Sequence, residues 1–165
     1  MARLTSRPNV NQKKVKAIRD FFAHLAVLRT LGVVRSDVVF GDIGEFLCTL
    51  VYTDLTLCTS KTQKGIDGKL GREDVQIKFN NSSDAKNIDL GNPEKDKYDS
   101  LILVLGKDSA HRKNGLEGDF IFYRYTSQEV RDNFSVSSGF KFSKTKHLKE
   151  HEHVFNFSLA EGVEQ

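Results

Sequence analysis

The sequence contains few cysteines and no long apolar run. Its 165 residues include only two cysteines, Cys48 and Cys58, and each lies among apolar neighbours without the spacing of metal ligands. This pattern favours reduced core cysteines of a cytoplasmic protein over a disulfide framework. No apolar run approaches the roughly 20 residues that span a bilayer, and none follows the basic N-terminus as in a secretory signal. We therefore expect a cytoplasmic protein without membrane partners.

Internal repeats, low-complexity tracts and linkers are also missing, so we expect a single domain over residues 1–165. Hydrophobic residues make up 38% of the chain and charged residues 28%, which is typical of a globular protein rather than a disordered one. The formal net charge of +3 permits a polyanionic partner without requiring one. Basic residues cluster at 13–19, 61–72 and 141–149, where a solvated surface is the simplest explanation of each cluster.

Apolar spacing predicts four helices. Residues 11–31 carry apolar side chains every three or four positions, and a second helix is predicted over about 42–52. A short helix begins at Thr126 or Ser127, with Glu129 placed to complete a capping box. A basic C-terminal helix is predicted over about 143–155.

Alternating and continuous apolar runs predict the strands. Residues 55–60, 74–79 and 120–125 have strand character, and the run of five apolar residues at 101–105 predicts a central strand covered on both faces. The order of these elements predicts an α/β protein with a mixed central sheet flanked by helices.

Four polar residues stand out against this framework. Alternation along the strand at 74–79 places Gln76 and Lys78 on one face, about 7 Å apart. A lysine among apolar residues is costly to bury unless it meets an anion. Asp67 precedes this strand between two glycines that allow a sharp bend, and Glu45 lies in the apolar second helix. Two carboxylates, an amide oxygen and an ammonium are therefore candidates for one site.

This set of groups suits phosphodiester hydrolysis. Hard oxygen ligands favour Mg²⁺, which retains waters and binds few carboxylates. A metal lowers the pKa of a bound water and stabilises charge on a phosphoryl oxygen, and a nearby lysine orients the water and meets the developing charge. The Ile77 carbonyl is a further candidate ligand, because it lies between two of these residues.

The order of these residues resembles the PD-(D/E)xK nuclease superfamily, which has the restriction-endonuclease-like fold. Glu45 on a helix, Asp67 in "TQKGIDG", "QIK" at 76–78 and the strand "SLILVLG" follow the family order over about 41–125, half of the chain. Two positions depart from the family pattern: Ile66 replaces the usual proline, and Gln76 replaces the commoner glutamate. The uncharged glutamine implies a weaker metal site.

The resemblance implies a Mg²⁺-dependent DNA endonuclease, with Mn²⁺ as an alternative ion, acting in restriction or defence against foreign DNA, in repair or in phage DNA processing. Asp67 and Gln76 would bind the metal, Glu45 would support it, and Lys78 would assist the water. A homodimer would supply the two sites needed to cut both strands. The other candidate is a catalytically weak or inactive nuclease-fold subunit that binds DNA or protein in a larger defence or DNA-processing complex.

Each site residue also has a simpler interpretation. Lys78 is compatible with an edge-strand lysine that blocks strand pairing, Asp67 with an ordinary Asp-Gly turn and Glu45 with a helix-surface residue. The histidines of "HLKEHEH" have helical spacing but match no zinc motif, and the loop at 111–113 is either solvated or in contact with phosphate. The residues predicted to contact nucleic acid are Lys61, Lys64, Lys69, Arg72, Asn80, Ser82, Lys144 and Lys146.

Overall fold

The structure is a computed structural model that describes residues 12–31, 40–59, 65–146 and 149–158. These segments contain three α-helices, nine strands and one 3₁₀ turn at Lys144–Lys146. The helices are α1 (Gln12–Thr30), α2 (Gly41–Val51) and α3 (Ser127–Asn133). The strands are β1 (Leu55–Leu57), β2 (Gly68–Leu70), β3 (Glu73–Asn80), β4 (Ile88–Asp89), β5 (Ser100–Gly106), β6 (Phe120–Thr126), β7 (Ser135–Val136), β8 (Gly139–Phe142) and β9 (His153–Phe155). No helix in these segments is long and apolar enough to cross a membrane.

The larger sheet is mixed and has six strands in the order β1-β2-β3-β5-β6-β9. The first three strands are antiparallel, β3 and β5 are parallel, and β6 and β9 continue antiparallel. A smaller sheet has the order β4-β8-β7. The mixed α/β architecture that the sequence predicts is therefore correct.

The hydrophobic core lies on both faces of the larger sheet. Every residue of β5 is buried, as its continuous apolar run predicts for a central strand. Ile102 and Val104 face the cluster that contains α2, whereas Leu101, Leu103 and Leu105 face the cluster that contains the smaller sheet. On β3, Val75, Ile77 and Phe79 face the α2 side, so Gln76 and Lys78 face the opposite side.

Helix α2 packs very closely on β3. A Cβ atom built on Gly44 would come within 2.6 Å of the Phe79 Cβ, so only glycine allows this approach of helix and strand. Glu45, the next residue of α2, lies close enough to Asp67 before β2 to feel its charge.

The predicted helices agree with the structure except at the C-terminus. Thr126 caps α3 and forms the expected capping box with Glu129. The helix predicted over 143–155 is wrong, because its described residues form the 3₁₀ turn and the edge strand β9. The β9 backbone pairs with β6, with Phe155 opposite Phe120, and Phe155 is buried in the core. Long-range pairing thus overrides the helical charge pattern of this segment.

Candidate active site around Asp67

Asp67 is fixed at the point where β2 meets β3. Its backbone N–H donates to the Val75 carbonyl at 2.8 Å, and its own carbonyl accepts from the Cys58 N–H at 2.9 Å. The residue therefore bridges β3 and the chain leaving β1. The alternative of an ordinary Asp-Gly turn does not account for these contacts, because Asp67 continues the sheet at the start of β2.

The Asp67 carboxylate contacts two residues of the predicted motif. Its Oδ2 accepts the Ile77 N–H at 2.6 Å and the Gln76 Nε2 at 2.9 Å. The carboxylate thereby takes the place of a strand carbonyl as hydrogen-bond acceptor for β3. In a strand the N–H and C=O of one residue point toward the same side. The Ile77 carbonyl therefore also faces the side on which Asp67 lies.

Glu45 is electrostatically coupled to Asp67. Burial and then the neighbouring Asp67 carboxylate raise the pKa of Glu45. Burial, followed by the charges of Glu45 and Asp67, raises the pKa of the Cys48 thiol. The fold thus holds two half-buried carboxylates near each other, an arrangement that a cation would stabilise.

Asp96 joins this group although the sequence pattern did not single it out. A Cβ on Gly65, which has φ +83°, would come within 2.2 Å of the Asp96 Cβ. A Cβ on Gly91 would lie 3.1 Å from both the Asp96 Oδ2 and the Gln76 Oε1. The Asp96 side chain therefore packs between two glycines, beside the Gln76 amide. In the sequence, only the glycines Gly65 and Gly91 indicate that another part of the chain, here Asp96, packs closely against these positions. We call Glu45, Asp67, Gln76 and Asp96 the Asp67 cluster.

Lys78 lies two residues beyond Gln76 on the same face of β3. It is half-buried and makes no hydrogen bond or ion pair with the described residues. Its charge acts at a distance on Asp89. Burial would raise the pKa of Asp89, but the Lys141 ion pair, the Gly91 N–H and, to a smaller extent, Lys78 together lower it. β3 is an inner strand of the sheet, but β2 pairs only with Glu73–Val75, so Lys78 has a paired strand only on its β5 side. The alternative of an edge-strand lysine therefore stays a prediction.

The donor set of the Asp67 cluster fits a hard cation with few protein ligands. Within the described segments, no three His, Cys, Asp or Glu side chains form a group able to hold a metal ion. Asp67, Glu45 and the Ile77 carbonyl offer two carboxylates and one carbonyl, which matches the few protein ligands that Mg²⁺ takes. Gln76 does not offer its oxygen to this set, because its Nε2 faces Asp67 and its Oε1 faces Gly91.

The predicted nucleic-acid contacts that the structure describes lie on different elements. Lys61 and Lys64 lie outside the described residues. Lys69 pairs with Asp74 at 2.6 Å, and Arg72 is exposed in the turn between β2 and β3. Lys144 donates to the Asn114 side chain and Lys146 to the Asn133 carbonyl.

Asn80 and Ser82 both act within the protein. Asn80 accepts from the Ser109 hydroxyl at 2.6 Å. Ser82 accepts from the Asp84 N–H through its hydroxyl and from the Ala110 N–H through its carbonyl. Both residues organise the loops at the ends of β3 and β5.

The histidines near the C-terminus do not converge. His151 packs against Tyr123, and His153 packs edge-on against Tyr52. These tyrosines belong to the clusters on opposite faces of the sheet. His151 and His153 therefore cannot share one metal ion, and His147 lies outside the described residues.

The sequence matches no protein-family model and no curated protein. The function must therefore be argued from the chemistry of the Asp67 cluster.

Proposed function

We propose that this protein is a Mg²⁺-dependent DNA endonuclease with a restriction-endonuclease-like fold. The observation that carries the proposal is the fixed Asp67 carboxylate. It is anchored by the Ile77 N–H and the Gln76 amide, and its charge raises the pKa of Glu45 on α2. A second carboxylate beside the first costs stability unless a cation binds.

The order of elements around the cluster supports the fold assignment. Helix α2 is followed by three antiparallel strands, a crossover and the parallel strand β5. This is the order of the PD-(D/E)xK nucleases, which place a helix in the crossover. Here residues 81–99 form loops and the short strand β4 instead, and this crossover supplies Asp96 to the cluster.

The residues of the cluster have separable roles in the proposed reaction. Asp67, Glu45 and the Ile77 carbonyl would hold Mg²⁺. When bound, the ion would acidify a water and stabilise charge on a phosphoryl oxygen. The Gln76 amide orients the Asp67 carboxylate through its hydrogen bond. Lys78 has no ion-pair partner among the described residues, so its ammonium is available to position the water and meet the developing charge.

Cleavage assays with two variants test this assignment. Plasmid and linear DNA are incubated with Mg²⁺, Mn²⁺ or EDTA, using wild type, Asp67→Asn, Lys78→Ala and the control Lys13→Ala on the exposed side of α1. We expect metal-dependent cleavage by wild type and Lys13→Ala only. Cleavage at the wild-type rate by Asp67→Asn or Lys78→Ala would overturn the assignment.

One observation favours the second candidate, a DNA- or protein-binding subunit with the same fold. The uncharged Gln76 donates to Asp67 and thereby satisfies this carboxylate without a metal. Thermal unfolding with increasing Mg²⁺ or Mn²⁺ distinguishes the two functions. A binding subunit shows no metal-dependent stabilisation, whereas a metal site raises the midpoint as its ligand binds.

A further inference from the structure

A second polar site lies at the edge of the sheet where β5 ends. Lys107, Arg112, Lys113 and Lys144 line a groove of about 570 Å³, together with the acidic residues Glu117 and Asp119. We call it the basic groove. The parallel strands β3 and β5 both run toward this edge, which is where open α/β sheets bind their ligands.

Arg112 is the least expected residue of the groove. It is only 8% exposed, yet its guanidinium donates only to the backbone carbonyls of Leu116 and Gly118, each at 2.9 Å. Its remaining N–H groups have no partner in the described part of the chain. Asp119 and Asp108 act on the Arg112 charge at a distance, and neither forms an ion pair with it among the described residues. A buried cation without an anion in contact is costly, so the groove favours a ligand that brings negative charge.

Two lysines add to this excess of positive charge. Lys107 is exposed and has no hydrogen-bond or ion-pair partner among the residues described. Among the described residues, Lys144 donates only to the neutral Asn114 side chain, at 3.0 Å. Lys113 differs, because it pairs with the exposed Glu150. The groove therefore presents three cations that no described carboxylate neutralises through an ion pair.

The groove is held at a fixed distance from Lys78. Asn81 binds the Asp108 N–H, and Asn80 binds the Ser109 hydroxyl, so the loop after β5 is tied to the end of β3. Lys78 lies opposite Leu103 of β5, which ends three residues later at Gly106, and Lys107 is the next residue. The backbone therefore places Lys107 roughly 13 Å from the position of Lys78, a span that holds more than one phosphate of a nucleic-acid strand.

We propose that the basic groove binds the sugar–phosphate backbone of a nucleic-acid strand, next to the part of the same strand that lies at Lys78 and the Asp67 cluster. The preference for an anion follows from the groove itself. The choice of a nucleic-acid strand rests on the proposed function.

The test measures DNA binding in EDTA, where cleavage does not occur. A fluorescent oligonucleotide is titrated, as single strand and as duplex, with wild type, the double variant Lys107→Ala/Lys144→Ala and the matched control Lys13→Ala/Lys16→Ala. Each lost phosphate contact lowers the slope of log affinity against log salt by roughly 0.7–0.9. We expect the groove variant to lose about two such contacts and to bind at least tenfold more weakly, and the control to bind like wild type.

Three outcomes would reject the groove: no binding by wild type, equal affinity and salt slope in the groove variant, or an equal loss in the control. Displacement of the oligonucleotide by low millimolar inorganic phosphate would also reject a strand site in favour of a small-anion site. Circular dichroism melts verify that both double variants are folded. Groove-dependent binding by a protein that never cuts DNA would support the groove and reject the nuclease. Metal-dependent cutting, together with unchanged DNA binding in the groove variant, would support the nuclease and reject the groove.

Discussion

The Asp67 cluster and the basic groove hold their charges in opposite ways. In the Asp67 cluster, short side chains are positioned by backbone contacts, as when the Ile77 N–H fixes Asp67. In the basic groove, long side chains extend from loops, and only Arg112 is anchored by backbone carbonyls. Rigid carboxylates at short range suit a small ion with defined geometry. Flexible lysines suit a long, repetitive anion such as a nucleic-acid backbone. Each site should therefore be removable without the other.

The largest expected effect comes from removing the Asp67 charge. Asp67→Asn should lower metal-dependent cleavage on the order of 100- to 1000-fold, as for the loss of other groups that stabilise transition-state charge. It should leave oligonucleotide affinity in EDTA unchanged, because the basic groove is intact. A parallel loss of affinity in EDTA would show that the two sites are not independent.

A stability measurement separates the charge of Asp67 from its structural contacts. Asp67→Ala leaves the Ile77 N–H and the Gln76 amide without their acceptor, so it should cost about 1–3 kcal/mol of unfolding free energy. Asp67→Asn retains an acceptor oxygen and should cost less. Urea denaturation of both variants measures this difference, and equal losses would contradict the assigned hydrogen bonds.

Metal binding should stabilise wild type but not Asp67→Asn. Mg²⁺ or Mn²⁺ at 100 times its dissociation constant should add about 2.7 kcal/mol to the unfolding free energy. The effect should vanish in Asp67→Asn and persist in the groove variant Lys107→Ala/Lys144→Ala. Thermal melts across a metal titration give this result directly, and stabilisation that survives Asp67→Asn would place the metal elsewhere.

Asp96 should have a smaller, indirect effect on the same site. Its carboxylate packs beside the Gln76 amide without contacting Asp67 in the structure. Asp96→Asn should weaken metal affinity roughly tenfold, the lower range for residues that orient ligands. Asp84→Asn is a suitable control, because Asp84 is an exposed acid of the same crossover. Equal metal affinity in Asp96→Asn and wild type would remove Asp96 from the cluster.

The smallest effect concerns Glu45 and pH. The folded protein raises the pKa of Glu45, so it binds more protons than the unfolded chain just above pH 4.5. Stability from this group is therefore present at low pH and is lost as pH rises through the folded pKa. Without metal, Glu45→Gln should remove this loss and make the protein more stable than wild type at pH 7. Denaturation at pH 4 and pH 7 tests the sign.

The sequence predicted the parts of the site that depend on local pattern. Alternation in β3 placed Gln76 and Lys78 on one face, and the apolar run of β5 identified the central strand. Asp96 was missed because its position depends on how the crossover returns to Gly65, which local composition does not specify. Strand β9 was predicted as helix because edge pairing with β6 is a long-range property. The sequence places Arg112 in a loop that is either solvated or in contact with phosphate, but it does not show its burial, which depends on the Leu116 and Gly118 carbonyls.

The parallel pairing of β3 with β5 also sets the order in which the site can assemble. These strands adjoin in the sheet, yet the whole crossover, residues 81–99, separates them along the chain. The entropy of closing this loop is lost before the pairing compensates for it, which slows such contacts during folding. The hairpin of β2 and β3 can bring Asp67 to Ile77 early, whereas Asp96 arrives only when the crossover closes. During refolding, the Ile77 N–H should therefore become protected from hydrogen exchange by its bond to Asp67 before Asp96 packs against Gly65.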